Sequence, residues 1–183
     1  MSKRVEYIFP TEWESILKRI DEIDPVKYAR SRNFIDGDVT YLSPYISRGV
    51  ISVKMIKDII FKRGYKLYEI EKFIQELAWR EYWQRIWQSK GDEILSDLKQ
   101  TQPDFVHRKL PVAVINHQTR IDAIDKYIEQ LYEQSYMHNH VRMYLASIVC
   151  NIAKSHWLLP AQWLYFNLLD GDIASNHLSW QWV

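Results

Sequence analysis

Helical periodicity runs through almost the whole chain and constrains its fold more than any other feature. The first predicted helix, for example, has Trp13, Ile16 and Ile20 on one face, and Pro25 ends it or starts the next one. Stretches that alternate apolar and polar residues, as β-strands do, are absent, and the chain has only five glycines and six prolines. The pattern therefore predicts an all-α fold of roughly eight helices.

Residues typical of helix ends mark where the predicted helices begin. These signals are a capping box at Thr11–Glu14, the pair Ser43-Pro44, and the N-caps Ser52 and Asp172. Longer helices are predicted over 68–89, 120–134, 139–156 and 160–169, with an irregular segment over 100–118. No repeat or low-complexity tract divides the chain, so we expect one domain over residues 1–183.

The composition narrows the class of protein. Hydrophobic residues make up 47% and charged residues 26%, which predicts a folded chain, and a net charge of +1 does not indicate a strongly basic nucleic-acid-binding protein. The single cysteine, Cys150, excludes an internal disulfide and a cysteine-rich metal site, and it fits a reducing, cytoplasmic location. No signal peptide and no apolar stretch of membrane-spanning length is found, so no membrane partner is expected.

The C-terminal run DGDIASNHLSWQWV concentrates polar and aromatic residues. Asp170 and Asp172 flank Gly171, which permits a close backbone approach or a positive φ. Alone, this is a turn followed by an N-cap, and its spacing does not fit an EF-hand, so no metal site is predicted. The same run contains Asn176, Trp180 and Trp182.

Two helical segments carry further candidate residues. In YMHNHVRMYLAS, Asn139, Arg142 and Ala146 share a helix face, and Arg142 is either a surface cation or the partner of a carboxylate near a cofactor. In IQELAWREYWQRIW, Glu76 and Trp79 lie on one face. A tryptophan stripe is by default core packing, but a carboxylate inside it is less easily explained in that way.

A fourth segment, YARSRNF…VTYLSPYISRGVIS, runs from Tyr28 to Ser52. A loop followed by a capped short helix explains it structurally. Hydroxyl groups and backbone donors at a helix N-terminus also suit an anion.

Together, the four segments resemble the flavin-binding helical domain of the photolyase/cryptochrome family, in its order and close to its spacing. The resemblance spans residues 28–183 and implies an all-α domain that binds FAD in a bent shape. In it, Arg142 would pair with Asp170 close to the flavin ring, and Asn176 would face flavin N5. The residues implied for binding FAD are Tyr28, Thr40, Leu42 and Ser43 near the diphosphate, and Arg142, Asp170, Gly171, Asp172 and Asn176.

The resemblance implies light-driven repair of cyclobutane pyrimidine dimers in damaged DNA, by electron transfer from reduced FAD. Glu76 would hydrogen-bond a flipped-out dimer, with Trp79 packed against it and Trp182 as the opposing aromatic wall. Arg80 would contact a phosphate. The other implied substrate contacts are Asn139, His140, where most photolyases have arginine, and Met143.

Family members reduce their flavin through a chain of tryptophans. Trp180 matches the proximal member of that chain and Trp157 the middle one. Residues 100–118, where the distal member is expected, contain no tryptophan. Trp163 and Tyr165 are alternative exits for the oxidising equivalent.

Two other functions stay open, a cryptochrome-type blue-light sensor without repair and a non-catalytic helical remnant. No α/β antenna domain precedes the helical part, so no antenna chromophore site is expected in this chain. Photolyases typically continue for several helices beyond the position of WQWV. A fragment, a truncated product or a minimal relative is therefore expected.

Overall fold

The computed structural model describes residues 6–182, and within that range it contains helices and no β-strand. The all-α prediction is confirmed. The α-helices are α1 Trp13–Asp21, α2 Pro25–Ser31, α3 Ser43–Ser47, α4 Val53–Lys62, α5 Leu67–Lys90, α6 Val112–Ile115, α7 Asp122–Gln134, α8 Asn139–Ser147, α9 Leu158–Asn167 and α10 Ile173–Trp180. A 3₁₀ turn, Gly91–Leu95, follows α5, and a π-helical turn, Ile148–Ile152, follows α8.

The chain forms two compact units, and the boundary between them, after Trp79, falls within α5. The first unit contains α1 to α4 and the start of α5. The second contains the rest of α5 and α6 to α10. The single-domain organisation stays a prediction.

The first unit has an apolar core built mainly from isoleucines. The helical spacing of Ile16 and Ile20 in α1, and of Ile56 and Ile60 in α4, places all four side chains in this core. Arg63 fixes the end of α1, because its guanidinium donates to the carbonyl oxygens of Ile20 and Ile23 at 2.8 Å. The Ile20 carbonyl also accepts from the Ile23 backbone amide at 3.3 Å, so it has two partners at the end of the helix.

The second unit has a larger core formed by α7, α8, α9 and the segments around them. Two tryptophans, Trp157 and Trp180, are buried in it. A smaller cluster joins the 3₁₀ turn to α10 through Ile94 and Leu178, and Trp83 of α5 packs against that cluster. The tryptophans predicted to carry electrons therefore lie in the interior of this unit.

Two of the predicted helix caps are confirmed and two are displaced. Ser52 accepts from the Met55 amide and Asp172 from the Ser175 amide, as expected for N-caps. The capping box at Thr11–Glu14 is wrong, because Glu12 is the N-cap and makes no side-chain capping bond. The helix predicted to be capped by Ser43 is instead capped at Leu42, one residue earlier.

The single helix predicted over 139–156 is also wrong. The α-helical bonds end at Ser147, and the Ala153 amide then bonds to the Ile148 carbonyl, which closes a π-turn. Lys154 follows with a φ of 56°, which ends the helix and directs the chain into a loop before Trp157. Apolar spacing continues smoothly through the turn, so the sequence pattern does not reveal this change.

Candidate functional site

The ion pair between Arg142 and Asp170 is present in the second unit. One terminal nitrogen of Arg142 lies 2.9 Å from both carboxylate oxygens, and the Nε of Arg142 donates to the Met137 carbonyl at 2.7 Å. The guanidinium also lies over the ring of Tyr136, 5.4 Å from its centroid. The Asp170 side chain is 5% exposed and that of Arg142 is 19% exposed. The pair therefore has the hydrogen bonds that a buried carboxylate requires.

The turn after Asp170 is tight. A Cβ added at Gly171 would lie 2.8 Å from the Tyr165 carbonyl oxygen and 3.0 Å from that of Leu168. Distances below 3.0 Å do not occur between these atom types, so the close approach requires glycine. The turn thereby fixes where Asp172 begins α10.

Asp172 is held by side chains of α5. One carboxylate oxygen accepts from the Ser175 amide as the helix cap, and the other accepts from Arg80 at 3.2 Å and from Gln84 at 2.6 Å. Arg80, predicted to contact a phosphate, is thus engaged in an internal ion pair that is mostly shielded from solvent. A phosphate contact would require Arg80 to leave Asp172, and this role stays a prediction.

The buried polar atoms of the second unit bear on its fit to FAD. Among the described residues, His138 Nε2 and Ser175 Oγ are buried without a hydrogen-bond partner, and buried polar groups normally have one. Ser175 directly precedes Asn176, and the Asn176 amide donates to the Ala161 carbonyl at 2.8 Å, which fixes its orientation. Buried polar atoms without a partner in the protein, together with an oriented amide and a buried ion pair in the same unit, suit a polar cofactor such as FAD.

Trp157 sits in a hydrogen-bonded network with residues that the sequence did not indicate. Its indole nitrogen donates to Asp97 Oδ1 at 2.5 Å, and its backbone amide donates to Gln102 Oε1 at 2.8 Å. The ring of His156 stacks on that of Trp157, with the centroids 5.8 Å apart. The indole of this buried tryptophan is therefore paired with a carboxylate.

The two alternative exits lie in different surroundings. His177 contacts Trp157, with ring centroids 6.3 Å apart, and also contacts Tyr165 at 5.8 Å. Trp163 instead contacts Tyr132 at 6.1 Å. Of the two candidates, Tyr165 is the one that the described ring contacts connect to Trp157.

The predicted substrate contacts of the second unit are accessible. Asn139 and Met143 are exposed one turn apart on α8, and between them His140 lies 3.2 Å from the Tyr144 hydroxyl. Trp182 is also exposed and contacts the ring of Trp83 at 5.8 Å. The positions agree with contact to a large ligand, but the roles stay predictions.

In the first unit, Glu76 is bound by Arg32. The Nε and Nη2 atoms of Arg32 donate to Glu76 Oε1 at 3.3 and 3.1 Å. Trp79, one turn after Glu76 on α5, is 45% exposed. Tyr28 packs edge-on against Phe73, and burial, together with the negative charge of Glu76, raises the pKa of Tyr28 to about 12, while Arg32 partly opposes this.

Two of the four residues predicted to hold a diphosphate line a cavity of 240 Å³ in the first unit. Tyr28 and Thr40 line it, while Leu42 is buried in the core and Ser43 begins a helix of only five residues. The charged side chains that line the cavity are Arg19, Glu22, Asp24 and Asp38. Three carboxylates against one guanidinium do not favour a diphosphate, so this cavity gives no support to the prediction.

Sequence reasoning missed the partners of several site residues. Arg32 is 44 positions from Glu76, and Asp97 is 60 positions from Trp157. One signal for Arg32 was available, since it lies four residues after Tyr28 and so on the same side of α2. Asp97 lies in a loop whose pattern gives no such signal.

Residues 6–182 show neither a metal-binding cluster nor a membrane-spanning helix. Within residues 6–182, no group of three or more His, Cys, Asp or Glu side chains is arranged to hold a metal ion. None of the helices described combines the length and apolar character needed to cross a bilayer.

The chain is similar to photolyases and to a cryptochrome. The deoxyribodipyrimidine photo-lyase of Alkalihalophilus pseudofirmus is 30% identical over 167 residues, which cover 85% of this chain and 33% of the relative. A class III photolyase from Agrobacterium tumefaciens has the same fold, with a TM-score of 0.79 at 24% identity over 92% of this chain and 37% of its own. A cryptochrome from Synechocystis gives a TM-score of 0.80 at 22% identity, covering 92% of this chain and 38% of its own.

The chain thus spans about a third of the length of the curated relatives it matches. The sequence model of the family described as the FAD binding domain of DNA photolyase matches residues 73–183, which is more than half of the chain. The chain therefore belongs to the family of FAD binding domains of DNA photolyase, the family whose cofactor is FAD.

Proposed function

We propose that this chain is the flavin-binding part of a photolyase that uses light and reduced FAD to split cyclobutane pyrimidine dimers in DNA. Its curated relatives named deoxyribodipyrimidine photo-lyase support this activity. Damaged DNA is accordingly the proposed partner. FAD, when bound, supplies the electron, while the protein binds, orients and excludes water.

The observation that carries the proposal is the placement of Glu76 and Trp79 in the first unit. They lie one turn apart on α5, so an exposed aromatic surface follows a carboxylate held in place by Arg32. Bases that leave a duplex are typically recognised by stacking on aromatic rings and by hydrogen bonds to their edges. Glu76 and Trp79 offer one group of each kind.

The buried polar groups of the second unit would serve the cofactor rather than the DNA. The buried Arg142–Asp170 pair and the oriented amide of Asn176 are the polar groups proposed to face it. A neutral amide has no acidic proton to give, which distinguishes Asn176 from the aspartate that plant cryptochromes place there. This difference favours repair over plant-type signalling.

The test is to purify the chain, record its absorption in the flavin bands, and measure light-dependent repair of an oligonucleotide that contains a dimer. We expect a flavin spectrum and repair that requires light. Glu76→Gln should lower the repair rate by about tenfold or more, since it weakens a charge-assisted hydrogen bond.

Glu81→Gln is the matched control. Glu81 lies on the same helix, five residues later, and makes an exposed ion pair with Arg85, so its removal should leave repair unchanged. Flavin photochemistry without repair would contradict the proposal and support the cryptochrome-type sensor. A colourless protein without repair would support the helical remnant.

A further inference from the structure

The indole nitrogen of Trp157 has an unusual partner for a buried tryptophan. It donates to Asp97 Oδ1 at 2.5 Å, and a hydrogen bond to a charged acceptor is stronger than one between neutral groups. Trp157 is 2% exposed and belongs to the same core cluster as Trp180. The carboxylate therefore meets the only polar atom of the Trp157 side chain.

The rest of the network keeps Asp97 ionised and in place. Asp97 Oδ2 accepts from the Gln102 amide at 3.2 Å, and His156 Nε2 lies 3.5 Å from Oδ1. Burial alone would raise the pKa of Asp97, but the hydrogen bonds from Trp157 and Gln102 and the proximity of His156 together lower it. A carboxylate anion is thus held beside the indole N–H at neutral pH.

His156 is set up as a neutral neighbour of this pair. Burial lowers its pKa, with a contribution from the positive charge of Arg108, although Asp97 opposes both effects. The imidazole is stacked on the Trp157 indole and also makes an edge-on contact with Phe105, with the ring centroids 4.9 Å apart. Because the His156 ring is neutral, the Asp97 carboxylate stays able to accept a proton.

We propose that Asp97 accepts the indole proton of Trp157 when that tryptophan loses an electron, so that the oxidising equivalent stops at Trp157. The inference rests on the proposed electron transfer through Trp180 and Trp157. One electron passes from the Trp157 indole to the oxidised Trp180 of the proposed chain, the N–H bond of Trp157 breaks, and the proton forms an O–H bond on Asp97. A neutral indole radical and a neutral carboxylic acid remain until a soluble thiol returns an electron to the indole, to which the proton then returns.

Loss of the proton explains how a chain can end at this position. An indole radical cation is a strong oxidant that takes an electron from the next aromatic ring, whereas the neutral radical is a weaker one. The segment 100–118 contains no tryptophan to receive the oxidising equivalent. Asp97, as a proton acceptor beside Trp157, would take the place of a third tryptophan at the end of the chain.

The experiment oxidises the full purified chain with a photogenerated ruthenium(III) polypyridyl complex, so it does not depend on flavin binding or repair. Transient absorption separates neutral from cationic tryptophan radicals, and subtraction of the Trp157→Phe signal isolates Trp157. We expect a neutral radical in the unaltered chain. Asp97→Asn should lower its yield by about tenfold or more, with a radical cation in its place, since the loss is that of a charge-assisted hydrogen bond.

Asp92→Asn, an exposed position five residues earlier, is the matched control and should behave as the unaltered chain does. The unaltered chain in heavy water provides a measurement that needs no variant, and there the neutral radical should form more slowly. The proposal is overturned by an equal neutral yield in Asp97→Asn, by a rate unchanged in heavy water, or by no radical at Trp157. A tyrosyl radical that Tyr165→Phe removes would also overturn it.

Discussion

The two arginine–carboxylate pairs of this chain differ in burial and in geometry. In the second unit, Asp170 is 5% exposed and accepts two bonds of 2.9 Å from Arg142. In the first unit, Glu76 is 37% exposed and accepts longer bonds, of 3.1 and 3.3 Å, through one oxygen. A buried pair cannot lose one member cheaply, whereas a pair open to water can. The first arrangement shields a carboxylate from water, and the second keeps a carboxylate available beside an exposed aromatic ring.

Removing the two arginines should show the largest effect of this difference. Arg142→Met leaves the Asp170 carboxylate buried and unpaired, and should lower the free energy of unfolding by about 3–5 kcal/mol. Arg32→Met should lower it by about 1 kcal/mol or less, since water can solvate Glu76. Urea unfolding followed by circular dichroism measures both. Equal losses would show that the two pairs do not differ in kind.

The double variant Arg142→Met with Asp170→Leu tests whether the lost free energy of unfolding comes from the unpaired charge of Asp170. Replacing a whole buried pair by apolar groups of similar size is often neutral, so most of the lost free energy of unfolding should return. The same urea titration reports it. If the double variant is as unstable as Arg142→Met alone, packing or the Met137 contact of Arg142 dominates instead.

Tyr28 reports the charge of the exposed pair. Burial and Glu76 raise its pKa to about 12, so Glu76→Gln should lower that pKa, and Arg32→Met should raise it further. Because the pKa of the folded state lies above the usual value of 10, Tyr28 stabilises the fold fully below pH 10, and this contribution is lost as the pH rises toward 12. Ultraviolet difference spectra against Tyr28→Phe isolate this tyrosine. No shift in either variant would contradict the assignment.

The reactivity of the Cys150 thiol should show the smallest effect of the difference between the two arginine–carboxylate pairs. Cys150 lies in the π-turn directly after the helix of Arg142, and burial raises the pKa of its thiol to about 11. The thiol should react slowly with iodoacetamide at pH 8, both in the unaltered chain and in Arg32→Met. Arg142→Met should react faster, because it loosens the core around this turn. Mass spectrometry follows the modification, and identical rates in the three proteins would count against this coupling.

Features that depend on nearby residues could be predicted from the sequence, while those that join distant segments could not. The caps Ser52 and Asp172 are local signals, and the structure confirms them. Residues Thr11–Glu14 match the capping-box motif, but the helix starts one residue later than this motif requires. A spacing pattern does not encode which of two adjacent polar residues begins a helix.

The same limit applies to the candidate site. The Arg142–Asp170 pair was expected only because a known family supplies a template for two distant segments, and it is present. Nothing in the sequence pairs Asp97 with Trp157, since that contact depends on how a loop packs against the core. Long-range polar partners therefore have to come from coordinates, even where the residues they serve are recognised early.

The π-turn Ile148–Ile152 gives this chain a sensitivity to length rather than to chemistry. A π-turn contains one residue more than the same span of α-helix, so deleting a single residue there would restore regular winding. Everything downstream would then rotate by about 100° about the helix axis relative to Arg142. Substitutions within the turn would alter packing, whereas a one-residue deletion would move the indole of Trp157 out of line with the Asp97 carboxylate. The number of residues in the π-turn therefore matters more than their identity.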